Sequence, residues 1–190
     1  EWMYDIRKSN GPLAEVNSHD IDSARWFVGA EIDEVYALGG NFRCPQAVQK
    51  YPDFYDNVSM ACRFVNGKQG FIDGAVSVGY GYDARMEIVG TSGVMFVGRR
   101  EQDFVTTCST AKGIVQPFVK SWRTLFTEAY YNEDQDFIDC ILDGREPRAR
   151  GIDGRMAVAV VNAGNRSIVE RTPVRVDERN PRNTAKGRTV

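Results

Sequence analysis

The spacing of apolar residues changes period several times along this chain, and each change marks an element. From Gly11 to Gly29 the period is helical. At about 100° per residue, Leu13, Ile21, Ala24 and Val28 share one side, while Glu15, His19, Asp22 and Trp26 form a stripe roughly opposite. Asp20 lies nearer the apolar side. Pro12 suits a first helical turn and Gly29 a helical stop, so one helix is predicted over Gly11–Gly29. From Glu31 the residues are β-type with partial alternation (Ile32, Val35, Tyr36, Leu38), predicting a strand that ends at Gly39-Gly40. The two prolines and many polar residues of Cys44–Asn57 predict a long surface loop.

Period two then takes over. Val58, Met60, Cys62 and Phe64 alternate, Asn66-Gly67 is a hairpin signal, and Phe71–Val78 returns. Arg85–Val89 and Val94–Val97 repeat the arrangement around Gly90–Gly93, and Gln102–Thr107 reads as a further strand, so a meander of four or five short antiparallel strands is expected. Helical spacing resumes at Ser121, a plausible N-cap, and runs to Gly144. Its apolar stripe, including Trp122, Leu125, Tyr130, Phe137, Ile138, Ile141 and Leu142, is expected to be core. Asp153 is expected to cap a last helix, Gly154–Glu170, that buries Met156, Ala159, Val160, Ala163 and Ile168. Thr172–Val176 reads as a final strand.

Strands and helices are grouped rather than alternating. That makes the fold class α+β, with a large open, predominantly antiparallel sheet and helices on one face. The meander is apolar on both parities (Met60, Phe64, Phe71, Ala75, Val76, Val78), so the second sheet face is expected to lie against another subunit. One substrate-binding and oligomerisation domain is expected over 1–176, with a polar C-terminal tail at 177–190.

Composition narrows the function by exclusion. A net charge of −2 gives no general pull toward nucleic acid or an anionic membrane. No apolar run is long enough to cross a bilayer, and no secretory signal is present. The four cysteines are far apart and form no C-x-x-C, so they read as free, mostly buried thiols in a reducing, cytoplasmic setting. The chain opens on EWMYDIRKSN, which reads as the interior of a longer polypeptide.

Candidate chemistry centres on His19, the only histidine. Two readings stand. His19 is an ordinary residue of a solvated face, or it is an imidazole oriented by a carboxylate to move a proton near neutral pH. A metal held by Glu15, His19 and Asp22 is a third possibility by ligand type. Other motifs fail. Gly79-Tyr80-Gly81-Tyr82 lacks a third glycine and no helix follows it, so it is not a phosphate loop. H-E-x-x-H needs two histidines, and no G-x-S-x-G nucleophile elbow occurs.

Four stretches in order carry a family resemblance. GPLAEVNSHDIDSARW, GYDARMEIVGTSGVMFV, SWRTLFTEAYYNEDQDFIDCILDGREP and GIDGRMAVAVVNAGNRSIVERTPVRV together resemble the C-terminal domain of the glucose-fructose oxidoreductase / inositol dehydrogenase / rhizopine-catabolism family. Within it, the inositol dehydrogenases are most similar. The resemblance implies a dihydrodipicolinate-reductase-like C-terminal fold whose preceding Rossmann domain, with a Glu-Lys-Pro lysine, is absent from this chain. It implies an NAD- or NADP-dependent oxidoreductase that oxidises a secondary alcohol of an inositol or sugar, inactive without that domain. The cofactor would be held mainly by the missing half, with no cofactor-binding or metal residue here. By position, His19 matches the catalytic histidine. Glu15 stands where the inositol dehydrogenases usually carry aspartate, Asp22 matches a polyol-contacting acid, and Tyr82 and Asn17 are further substrate-side matches. Trp122 and Arg123 are expected near the pocket. The implied partners are a small polyol or sugar and further copies of the chain through the open sheet face, with no nucleic acid and no membrane. The alternative is a non-catalytic oligomerisation or sugar-binding domain of the same fold.

Overall fold

The computed structural model of the protein describes residues 2–98, 101 and 105–177. The chain divides into two units, one formed by residues up to Ser77 and from Arg148 onward, the other by Val78–Pro147.

The first unit begins with a 3-10 turn, Trp2–Tyr4, then α1 (Ile6–Ser9), α2 (Gly11–Glu15) and α3 (Ser18–Val28). Strands β1 (Ile32–Gly40), β2 (Asn57–Phe64) and β3 (Gln69–Ala75) follow. After the second unit the chain returns as α6 (Gly151–Glu170) and β8 (Val174–Arg175). All pairings are antiparallel, and the sheet order is β3-β2-β1-β8. Helices α2, α3 and α6 cover one face. Beneath them Val35, Ala37, Val58, Met60, Cys62, Ile72 and Val174 meet Leu13, Ile21 and Val160. Each fully buried aliphatic side chain of this kind contributes about 1.5–3 kcal/mol. Burial also pushes the Cys62 thiol up to about 12, leaving it an inert packing group.

The partial alternation of the first strand has a local cause. Ile32 pairs with Phe64 but Glu34 with Arg63, so Asp33 is an extra residue, a β-bulge. The bulge lets Ile32 and Val35, three apart, both face inward. Beyond it, Tyr36 and Leu38 point to the outer face with Ala61 and Phe71 of the neighbouring strands, and Tyr36, Leu38 and Phe71 are exposed there.

The segment predicted as a surface loop is instead anchored. The buried carboxylate of Asp56 accepts hydrogen bonds from the backbone N–H groups of Phe42 (3.0 Å), Arg43 (2.6 Å) and Cys44 (2.8 Å). Pro45–Gln49 forms a 3-10 turn, and Cys44, Ala47 and Phe54 make a small second core with Tyr4 and Tyr51. The aspartate satisfies three donors at once, which a polar-composition argument does not register.

In the last helix the predicted residues Met156, Ala159, Val160 and Ala163 are buried. Asp153 is not the N-cap. It occupies the third helical position, where its carboxylate accepts from the Arg150 backbone N–H in a capping box.

Among its described residues the second unit holds two hairpins, β4–β5 (Met86–Gly90, Gly93–Val97) and β6–β7 (Thr107–Ser109, Gly113–Val115), each forming its own two-stranded ribbon. The expected meander is therefore not one continuous ladder. β2 and β3 belong to the four-stranded sheet, and the later strands form separate ribbons. Of the strand expected over Gln102–Thr107, residues 102–104 lie outside the described residues and Val105 and Thr106 are not extended into a strand. Helices α4 (Trp122–Leu125) and α5 (Thr127–Asp143) replace the single predicted helix, with Ser121 capping and Gly144 stopping it as expected. Their apolar residues are not core. Among the described residues of this unit, only Val119 and Cys140 are buried. Residues 178–190 of the expected tail lie outside the described residues.

Candidate functional site

The α2–α3 segment carries four of the five expected site residues: Glu15, Asn17, His19 and Asp22. Its start is fixed to α6. Asn10, in a left-handed conformation, hydrogen-bonds Asn162 through its side chain (2.8 Å) and receives the Asn165 amide on its carbonyl (2.8 Å). The Tyr55 hydroxyl donates to Asn165 Oδ1 at 2.7 Å and accepts, more weakly, from the Leu13 N–H. Gly11 (φ +74°) lies against that hydroxyl, with no room for a Cβ.

The predicted single helix is broken. α2 ends at Glu15, the Asn17 N–H reaches back five residues to the Pro12 carbonyl, and α3 restarts at Ser18. The cause is Asn17. Wholly buried, it donates its side-chain NH2 to Asp20 Oδ2 and to the Asp73 carbonyl on β3, both at 2.9 Å. Both partners are acceptors, which fixes the amide orientation and leaves Oδ1 facing inward with no hydrogen-bond partner among the described residues. Gly74 makes the approach possible, since a Cβ there would collide with the Asn17 amide. Asparagine trades helical geometry for side-chain-to-backbone bonds of this sort. Asn17, expected as a substrate contact, thus has no exposed surface and ties the joint to the sheet edge.

Glu15 and His19 stand on either side of the joint, both exposed. They do not share a continuous helical register, and among the described residues no hydrogen bond or ion pair engages either side chain. Beside them Asp20 is mostly buried. Burial holds its carboxyl above the usual aspartate range, as does Asp73, while the Asn17 hydrogen bond and the charge of His19 pull the other way.

Asp22 is already engaged. Its Oδ1 accepts from Arg25 Nη1 at 2.6 Å, and Arg25 is buried and also forks onto Glu31 (2.7 Å to each oxygen) and touches Asp153. Glu31 foremost holds this guanidinium protonated. The network joins α3, the start of β1 and the first turn of α6, and leaves Asp22 half-exposed. Tyr82 belongs to the second unit, where it meets Phe126 edge-on at 6.0 Å and its N–H donates to the Val119 carbonyl. Trp122 and Arg123 are in that unit too, with the guanidinium stacked over the indole.

Among the described residues no group of three or more His, Cys, Asp or Glu side chains converges on a possible metal position. Gly79–Gly81 leads into no helix. The arrangement offers an exposed imidazole and carboxylate on a firmly held joint, suited to exchanging a proton with a hydroxylic ligand. The residues that hold the joint (Tyr55, Gly74, Asn162, Asn165) carry no local sequence signal, because their partners are distant in the chain. Among the described residues no helix is long and apolar enough to cross a membrane.

Known proteins with similar sequence and structure share one theme. Scyllo-inositol 2-dehydrogenase (NAD(+)) from Bacillus subtilis is 33% identical over 172 residues, covering 90% of this chain and 49% of that protein. The crystal structure of a probable dehydrogenase from Thermotoga maritima superposes with a TM-score of 0.83 at 29% identity, covering 91% of this chain and 51% of that one. Scyllo-inositol dehydrogenase from Lactobacillus casei, crystallised with NAD(H) and scyllo-inositol, gives 0.81 at 26% identity, covering 88% and 49%. The chain thus spans about half the length of the relatives it matches. The model of the GFO/IDH/MocA C-terminal domain matches residues 1–96, and the chain belongs to that family.

Proposed function

We propose that this chain is the substrate-side half of an NAD-dependent dehydrogenase that oxidises a secondary alcohol of an inositol or a related sugar. The carrying observation is the exposed His19, four residues after an exposed carboxylate, in a chain that matches inositol dehydrogenases over nine-tenths of its length. The described residues do not fit a dinucleotide: they contain no glycine-rich turn leading into a helix, so NAD or NADP would be held by polypeptide outside this chain. When bound, such a cofactor accepts a hydride.

His19 takes the hydroxyl proton, for which an imidazole is suited near neutral pH. Glu15 accepts a hydrogen bond from the polyol or orients the ring. Asp22, half-exposed and anchored by Arg25, presents its outer oxygen to a further hydroxyl; Tyr82 is kept as a further candidate substrate residue. Asn17 acts from below, by holding the joint that carries His19. The outer sheet face, with Tyr36, Leu38 and Phe71, is assigned to contact between copies of the chain.

The test uses the full gene product, with NAD reduction measured over a panel of inositols and sugars. His19→Ala is expected to lower kcat about 10²–10⁴-fold on the best substrate, with an unchanged melting curve because the side chain is exposed. Unchanged turnover would remove His19 from the mechanism. Absence of dinucleotide-dependent turnover on every substrate would leave the non-catalytic reading in its place.

A further inference from the structure

Helix α5 shows its apolar side to solvent. Tyr130, Tyr131, Phe137, Ile138, Ile141 and Leu142 fall within an arc of about 140° on the helix, which also holds the exposed Asp134. All six are exposed, Ile141 at 64% and Leu142 at 77%. The one buried residue of the helix, Cys140, lies outside that arc. A surface helix of a finished molecule does the reverse. Contiguous exposed apolar surface of this kind marks an interaction site.

Charge decides what fits there. Along α5 the chain carries Glu128, Glu133, Asp134, Asp136, Asp139 and Asp143 and no lysine or arginine. Among the described residues, Arg145 pairs with Asp136 at 2.7 Å toward the C-terminal end. A second copy docking through the same face about a twofold axis would set two such acidic helices side by side, and like charges across an interface suppress that pairing. The surface that fits is apolar, carries basic groups for Asp134 within the arc and for the acids beside it, and is not α5 itself. Relatives twice as long as this chain carry a comparable length of polypeptide in the same molecule.

We infer that the apolar face of α5 is the seat of that other half, which meets it with an apolar patch that carries lysine or arginine. The inference rests on the proposed function only in requiring a longer gene product, and its readout is independent of turnover.

The test is thiol labelling. Ile141→Cys, in a Cys108→Ser background that removes the one exposed native thiol among the described residues, is made in the full gene product and in the 190-residue chain. Maleimide modification at position 141 is expected to be at least about tenfold slower in the full product, at every protein concentration, as in a buried interdomain contact. Equal rates in the two would overturn the inference. So would a slowing that vanishes on dilution, which would identify a second copy as the occupant, or a full gene product no longer than this chain. Introducing His19→Ala into the labelled protein separates the two claims: it is expected to lower kcat about 10²–10⁴-fold and leave the labelling rate unchanged.

Discussion

Asp20 is the residue whose environment is most at odds with its chemistry. It sits beside the proposed catalytic histidine, yet it is mostly buried, feels the negative charge of Asp73, and has the Asn17 amide as its hydrogen-bond donor. Burial raises its folded-state pKa above the ordinary 3.8. An acid with a raised pKa favours the fold only while protonated, so its contribution is complete below about 3.8 and is lost as pH rises through the folded value. At neutral pH the ionised carboxylate is therefore a cost. Asp20→Asn, which keeps an acceptor for Asn17, is expected to melt higher than the parent at pH 7, with the two curves converging as pH falls below the ordinary aspartate range. Thermal melts at a series of pH values check this. A variant that is less stable at pH 7 by a pH-independent amount would show that the charge itself is used in the fold. The sequence made His19 legible, since it is alone and has acids at helical spacing. It did not reveal Asp20, which helical geometry placed on the apolar side without saying what would be packed over it.

At the scale of elements, signals that act within a few residues were readable and those that act across the sheet were not. Gly29 and Gly144 stop helices because a left-handed terminal residue is a local requirement, and Asn66-Gly67 turns a hairpin for a similar reason. The break at Asn17 depends on Gly74, and the anchored loop depends on Asp56 gathering donors more than ten residues earlier. Helical spacing likewise showed that α5 is two-sided but not that its apolar side faces outward. The Asn17–Gly74 contact can be tested as a pair. Gly74→Ala puts a methyl group into the Asn17 amide and is expected to cost about 1–3 kcal/mol by overpacking and displaced hydrogen bonds. Asn17→Ala removes the obstacle, so in that background the same glycine substitution is expected to cost under about 0.5 kcal/mol. Urea unfolding of the four proteins gives the cycle. Additive costs would mean that the joint and the strand edge are not coupled, and that the break in the helix has another origin.

At the scale of the whole molecule, the outer sheet face and the α5 face, both exposed and apolar, call for different partners. The outer sheet face is apolar in one row and mixed in the next. Tyr36, Ala61 and Phe71 form one row across β1, β2 and β3, and Leu38, Ser59 and Asp73 the next, so large side chains flank a shelf of small ones. Charged pairs such as Arg63–Glu34 and Arg175–Asp33 lie toward one end of the face. Such a surface can meet its own copy about a twofold axis through the Tyr36–Ala61–Phe71 row, sheet on sheet at about 10 Å, with no like charges at the axis. The acidic α5 face cannot. Leu38→Glu with Phe71→Glu is therefore expected to convert an oligomeric wild type to monomer in sedimentation experiments, because charges placed opposite their own copies are both desolvated and repelled. Both side chains are exposed, so the melting curve of the separated chain is expected to change little. Ile141→Glu, on the other surface, is expected to leave the oligomeric state unchanged. A wild type that is monomeric at micromolar concentration, or a double variant that keeps its full oligomeric mass, would end the assignment of this face to self-association.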